Sequence, residues 1–213
     1  MIPVRAVIFD YGNVLCQPQR ESDLTDMAAA CGLERHVLEP LYWHLREDYD
    51  RGEFDADHYW TQIGVRAGKK LSHEQIAGAA LADSQSWSRP SMKMVRWIRV
   101  LKESGIDIAI LSNMPLALKL YIDATCDWLS DFEHRVYSCD LGCVKPDPQI
   151  YQHCLKLLNL PPQATLFLDD RAPNVEAAQL LGIHSLVFSN LDHAAQEIKQ
   201  RFVLPIPESD QAG

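Results

Sequence analysis

The chain has 213 residues, 47% hydrophobic and 23% charged, with a net charge of -9 and an isoelectric point near 5.3. This length and composition allow a soluble domain with its own core and either a large insertion or a small second lobe. The acidic balance argues against nucleic acid or an anionic membrane as partner, because phosphate backbones bind basic patches. A small phosphorylated ligand stays open, since a bound divalent cation can reverse a local field.

In chain order, the first element is an apolar run, VRAVIFD (4–10), that ends in Asp10 and turns at Gly12. No apolar h-region or small-residue cleavage site precedes it, which predicts no signal peptide. Residues 17–86 differ in character, being helical, aromatic and charged, with no convincing strand. LEPLYWHLREDYDRG (38–52) and DADHYWTQIGVRAG (55–68) both close on glycine, and SHEQ (72–75) is a capping-box pattern. SRPS (88–91) returns the chain to the strand-bearing part. Met94, Trp97, Ile98 and Leu101 then keep helical spacing.

Further apolar runs follow: IDIAILSN (106–113), HRVYSCD (134–140), ATLFLDD (164–170) and IHSLVFSN (183–190). Near-continuous apolar strands separated by helical stripes describe a buried parallel sheet. The stripes include Ile150, Cys154 and Leu157 after an Asp147-Pro148 helix start, and Val175, Ala178 and Leu181 before Gly182. The expected fold is α/β: a Rossmann-like, doubly wound parallel sheet with an inserted all-helical cap. The expected boundaries are 1–16 and 87–205 for the core, 17–86 for the cap, and a frayed Pro-rich tail at 206–213 within PIPESDQAG.

Six cysteines stand without a C-x-x-C pair or zinc-ligand spacing, which predicts reduced thiols in a cytoplasmic protein. No run approaches the roughly 20 apolar residues of a membrane span. The acidic surface fits a monomer or weak homodimer. His44 and His58 sit on helical faces and are read as non-ligands, and the aromatic residues of 42–60 as cap core.

In open α/β sheets, ligands bind beyond the carboxyl ends of the strands. Those ends carry Asp10, Ser112-Asn113, Lys145 and Asp169-Asp170 in order. Three carboxylates placed together need a cation, and hard oxygen ligands select Mg²⁺. A hydroxyl, an amide and an ammonium suit an anion such as phosphate. Phosphoryl transfer needs this set, and a carboxylate can be its nucleophile.

With FDYGNVL, ILSN, VKPDPQIY and FLDDRAPNV in this order, the chain resembles the haloacid dehalogenase-like hydrolase superfamily. It is most similar to helical-cap phosphatases with a D-x-G-N-V first motif, a group that includes sugar-1-phosphate phosphatases. The resemblance implies Asp10 as nucleophile and a Mg²⁺ held by Asp10, the Gly12 carbonyl and Asp170. It implies phosphate held by Ser112 and the Asn113 N–H, and charge neutralised by Lys145. Asp169 would stand behind the metal or partner Lys145, and Asn174 would orient the loop after Asp170. A simpler role for Asn113 and Asn174 is helix capping. The expected substrate is a small phosphorylated metabolite, with a sugar 1-phosphate among the candidates.

The family's usual D-x-D is broken here, because Gly12 replaces the second aspartate, the proton donor. Tyr11 cannot substitute, since neighbours at a strand end point opposite ways. A good leaving group, or an acid from the cap (Asp23, Asp48, Asp55 or Asp57), would fill the gap. The alternatives are a non-catalytic phosphate-binding protein or, less favoured, a dehalogenase; the Asp169-Asp170 pair argues against the latter.

Overall fold

The computed structural model describes residues 1–206. Its centre is a sheet of β2 (Ala6–Phe9), β3 (Asp107–Ser112), β4 (His134–Tyr137), β5 (Thr165–Asp169) and β6 (His184–Val187). All neighbours are parallel, in the order β4-β3-β2-β5-β6. The chain builds outward from β2 on one side and then crosses to the other, which makes the sheet doubly wound. A second pairing joins β1 (Ile2–Pro3) to β7 (Phe202–Val203).

Alternation along β2 supplies both faces of the sheet. Val7 and Phe9 pack with Trp97 and Leu101 of α6 (Met92–Glu103), Leu118 and Ile122 of α7 (Leu116–Thr125), and Ile198 of α11 (Leu191–Arg201). Ala6 and Ile8 face Ile150, Tyr151 and Cys154 of α9 (Pro148–Leu158) and Ala178 of α10 (Ala172–Leu180). With helices on both faces, the central strand β2 is apolar and buried throughout.

The expected strand at 134–140 stops at Tyr137, and Ser138–Leu141 forms a helical turn, α8. The Pro-rich end is not frayed from its start: the Pro205 carbonyl accepts the Trp97 indole N–H at 2.9 Å, and Ile206 packs on the core. The rest of the tail, 207–213, lies outside the described residues.

Between Leu15 and Pro90 the chain makes α1 (Glu21–Cys31), α2 (Arg35–His44), α3 (Arg46–Arg51), α4 (Ala56–Arg66) and α5 (His73–Ser86). Ser72 and Gln75 form the expected capping box of α5. These helices enclose a separate apolar cluster that includes Leu24, Met27, Leu38, Tyr42, Tyr59, Trp60, Ile63 and Ile76. The cap hangs on two adjacent strands of chain: Cys16 bridges Pro90 antiparallel, Gln17 N–H donates to Arg89 O, and Ser91 N–H to Leu15 O, both at 2.8 Å. Arg89 also reaches into the cap to pair with Asp23 at 2.5 Å.

The cap is closed on the core at a second place. The left-handed residue after α3 is Gly52, at φ 84°, and a Cβ there would stand 3.0 Å from the Cys139 carbonyl of α8. Both the backbone angle and the close approach require glycine.

Candidate active site

Strand register builds the floor of the site. Phe9 pairs with Ile110 on one side and Leu168 on the other, so the next row across the sheet holds Asp10, Leu111 and Asp169. Lys145, just before α9, reaches this row. Its ammonium donates to Asp10 Oδ1 at 2.7 Å, Asp169 Oδ2 at 2.7 Å and the Leu111 carbonyl at 2.9 Å. An ammonium has three donors, and all three are used.

Asp169 is saturated. Asn174 Nδ2 donates to both of its oxygens at 3.0 Å, and the Arg171 N–H donates to Oδ1 at 2.8 Å. Asn174 therefore holds Asp169 and does not cap a helix, since Arg171 occupies the cap position of α10. Asn113 does not cap either: its side chain brackets the Lys145 backbone, accepting the Lys145 N–H at 2.8 Å and donating to the Lys145 carbonyl at 3.0 Å. Ser112 is buried at the end of β3. Asp147 does cap α9, through the Gln149 N–H at 2.9 Å.

Asp10 keeps its second oxygen clear of hydrogen bonds among the described residues. Asp170 has one oxygen committed to Asn13 Nδ2 at 2.8 Å. Asn13 holds the left-handed turn after β2, at φ 58°. Sequence pattern alone assigned Asn13 no role, although asparagine in a strand-to-loop turn is a signal for that conformation.

Carboxylate oxygens of Asp10, Asp169 and Asp170 lie within 4.8 Å of one another. Among the described residues, Lys145 is the ammonium that faces them. Burial pushes the Asp10 carboxyl up to about 7; Lys145 pulls against it, and Asp169 and Asp170 add to it. Burial also raises Asp170, with the Asn13 hydrogen bond opposing. Lys145 is held above its ordinary value because its two carboxylates outweigh its own burial. This excess of enclosed negative charge, with a free oxygen on Asp10 and another on Asp170, fits a hard divalent cation.

Above the floor is a cleft of about 600 Å³. The core lines it with Asp10 to Asn13, Ser112 to Met114, Lys145, Asp170 and Asn174. The cap contributes Trp43, Arg46, Glu47 and Asp50, with Trp87 at the seam. None of Asp23, Asp48, Asp55 and Asp57 lines the cleft. Asp23 pairs with Arg89, Asp55 caps α4 through the His58 N–H, and Asp48 lies toward Arg51. Residues 43, 46, 47 and 50 follow i, i+3, i+4, i+7, so one face spanning α2 and α3 looks into the site.

Gly12 has ordinary extended angles, φ -65° and ψ 135°, so backbone geometry does not demand glycine. A Cβ there would meet the Trp87 indole at 3.4 Å. Tyr11 turns the other way, buried, donating to the Trp87 carbonyl at 2.9 Å and stacked on Trp128. The cap wall has an ionic cluster of its own. Arg46 pairs with Asp50 at 2.8 Å and with Asp83 at 3.1 Å, and it donates to the Tyr42 hydroxyl at 2.6 Å. That hydroxyl donates to Asp83 at 2.7 Å and accepts the Trp87 indole N–H at 3.2 Å.

Residues 4–182 match the family model of haloacid dehalogenase-like hydrolases. The chain belongs to that family. Among curated proteins it is 27% identical over 198 residues to the sesquiterpene phosphatase astK of Aspergillus oryzae, covering 92% of this chain and 95% of that one. It is 24% identical to the D-ribitol-5-phosphate phosphatase of Bacteroides thetaiotaomicron, covering 92% and 97%. Other relatives are longer: the chain spans 19% of mouse acyl-CoA dehydrogenase family member 10 and 26% of mouse bifunctional epoxide hydrolase 2. A family enzyme from Bacteroides thetaiotaomicron, solved with magnesium and inorganic phosphate, shares the fold with a TM-score of 0.75 at 19% identity, over 90% of this chain and 98% of that one. No helix of the described residues is long and apolar enough to cross a membrane.

Proposed function

We propose that this hydrolase is a Mg²⁺-dependent phosphatase that acts on a small phosphorylated metabolite through an aspartyl-phosphate on Asp10. The observation that carries the reading is the Asp10 carboxylate. One oxygen is fixed by Lys145 and the other is clear, at the floor of a cleft whose far side is the cap. Mg²⁺, held by Asp10, the Gly12 carbonyl and Asp170, would neutralise charge on the phosphoryl oxygens.

The remaining roles belong to the chain itself. Lys145 favours the ionised form of Asp10 against its burial and aims it. Ser112 and the Asn113 N–H bind the phosphoryl group. Asp169, locked by Asn174 and the Arg171 N–H, fixes the Lys145 ammonium rather than touching substrate. Asp10 attacks phosphorus, the alcohol leaves, and water then releases phosphate. Two relatives of near full length carry the name phosphatase, and this supports the reaction class.

A dehalogenase is the weaker reading. Its halide leaves without a proton, as Gly12 would permit, but it has no use for the acidic pair Asp169-Asp170. A substrate such as a sugar 1-phosphate, whose leaving group departs readily, suits a site with no acid at residue 12. The test is steady-state hydrolysis of glucose 1-phosphate, glucose 6-phosphate and p-nitrophenyl phosphate, with Mg²⁺ or EDTA. Mg²⁺-dependent turnover that disappears in Asp10→Asn is the expected result. Turnover that survives this substitution overturns the nucleophile, and turnover in EDTA overturns the metal.

A further inference from the structure

Residue 12 has no carboxyl, and a Cβ there would already touch the Trp87 indole at 3.4 Å. A proton donor must come from another wall of the cleft. Apart from the floor carboxyls, the acids among the described residues that line it are Glu47 and Asp50. Glu47 is 70% exposed and bound to Arg51 at 2.5 Å. The Asp50 side chain is 14% exposed, held between the cap and the core.

Two features set Asp50 in place. Its backbone carbonyl accepts the Ser138 hydroxyl, and the same hydroxyl accepts the Met114 N–H at 2.9 Å. Met114 follows the Ser112-Asn113 pair, so one side chain ties the cap residue to the loop read as binding phosphate. Arg46 provides the second feature. One guanidinium serves both Asp50 and Asp83, so the cluster carries two carboxyls against one cation. Enclosed carboxyls in excess of cations favour retaining a proton.

We propose that Asp50 is the proton donor and acceptor of the reaction, working from the cap in place of the acid missing at residue 12. The proposal rests on the phosphatase reading. In the first step the P–O bond to the leaving group breaks as Asp10 takes the phosphoryl group, and the Asp50 carboxyl gives its proton to the departing oxygen. In the second step water attacks the aspartyl-phosphate, and the Asp50 carboxylate takes the proton that water loses. Phosphate departs, and both side chains return to their starting forms.

The ionisable groups facing Asp50 are Arg46, Asp83 of α5, Arg171 after β5, Cys139 of α8, and Tyr49 and Tyr59 of the cap. Burial and Asp83 favour the acid form, while Arg46 and Arg171 favour the carboxylate; the balance pushes Asp50 up to about 6. A donor close to the working pH is efficient.

The test compares Asp50→Asn with the parent on two esters in Mg²⁺: an alkyl phosphate, whose alcohol needs protonation, and p-nitrophenyl phosphate, whose phenolate does not. Asp50→Asn keeps shape, and Asp83 remains to partner Arg46. Read as kcat/KM, which reports phosphoryl transfer to Asp10 and not the shared second step, the expected result is a loss on the alkyl ester of roughly 10²–10⁴-fold, a change of only a few-fold on the aryl ester, and partial recovery in Asp50→Glu. The alkyl-to-aryl rate ratio of the parent should fall as pH rises through about 6 and be flat in Asp50→Asn. Taking this ratio removes the titration of Asp10, which both esters share. Equal losses on both esters, or no loss on either, overturn the role of Asp50. Parent protein that hydrolyses neither ester overturns the phosphatase reading, and the proposal with it.

Discussion

The floor of the cleft and its cap wall are built on one plan. Each has a buried cation between two carboxyls: Lys145 between Asp10 and Asp169, and Arg46 between Asp50 and Asp83. In each, one carboxyl is enclosed, Asp169 at 0% and Asp83 at 2% exposure, while the other borders the cleft, Asp10 at 11% and Asp50 at 14%. The frames differ. The floor is set by strand register, with every ammonium proton placed on a row of the sheet. The wall is set by side chains on three helices, joined through the Tyr42 hydroxyl. A sheet row fixes a nucleophile to a single position, whereas a helix face can shift with the cap that carries it.

Breaking the floor should have the largest effect. Asp10→Asn should reduce turnover at least on the order of 10⁴-fold, as loss of a covalent nucleophile does, while far-UV circular dichroism stays unchanged. Lys145→Met leaves Asp10 and Asp169 without their cation. It should cost about 3–5 kcal/mol in urea unfolding, the range for breaking a buried pair, and remove most activity.

Arg46→Met makes the matching break in the wall. Asp50 borders the cleft and can be hydrated there, so the cost should sit at the low end of those ~3–5 kcal/mol. Amide exchange should rise in α2, α3 and α5 and stay unchanged in the sheet. Equal loosening of both regions would contradict two separately framed clusters.

Metal separates the two clusters further. The folded Asp10 carboxyl lies near 7, above its unfolded 3.8, so the metal-free fold binds this proton more tightly than the unfolded chain. That contribution is present below about 4 and is lost as pH rises through about 7. Mg²⁺ must compete with the proton at pH 5 and not at pH 8. The rise in melting temperature with Mg²⁺ should therefore be larger at pH 8, reaching about 2.7 kcal/mol of stabilisation at a hundredfold excess over Kd. Calorimetry with EDTA as reference reads this, and a larger shift at pH 5 would contradict the Asp10 titration.

The smallest effect should come from Gly12→Ala. The angles suit alanine, which restricts the unfolded chain, but its methyl meets the Trp87 indole at 3.4 Å. A net stability change within ~0.5 kcal/mol is expected from thermal melts.

The floor was legible in the sequence because strand ends carry it. Asp10, Ser112 and Asp169-Asp170 each close an apolar run, and the sheet brings such ends together. Lys145 was legible from its place just past the third apolar run, although that strand ends at Tyr137 and α8 intervenes. The wall was not legible in the same way. Its stripe of 43, 46, 47 and 50 runs through a break at Leu45 between α2 and α3, and acidic residues surround it. Choosing Asp50 over Asp48 requires the helix phase, which is set by tertiary contacts of Tyr42 and Tyr49 with the cap core. The pairing of Arg46 with Asp83, far along the chain, had no local signal. For Asn113 and Asn174, helix capping was the simpler alternative to a role in the site, because asparagine beside a helix start usually is a cap; here the charged row drew both side chains inward.

The paired crossing at Cys16 and Pro90 sets how the cap can change over time. Both ends of the insertion leave the core side by side, so the core loses no loop closure when the segment between them is shortened, lengthened or exchanged. The cap is in that sense a cassette spliced into one turn of a finished sheet. Lineages that share the floor could then trade one helical cassette for another and acquire new chemistry above a row of carboxyls that stays in place.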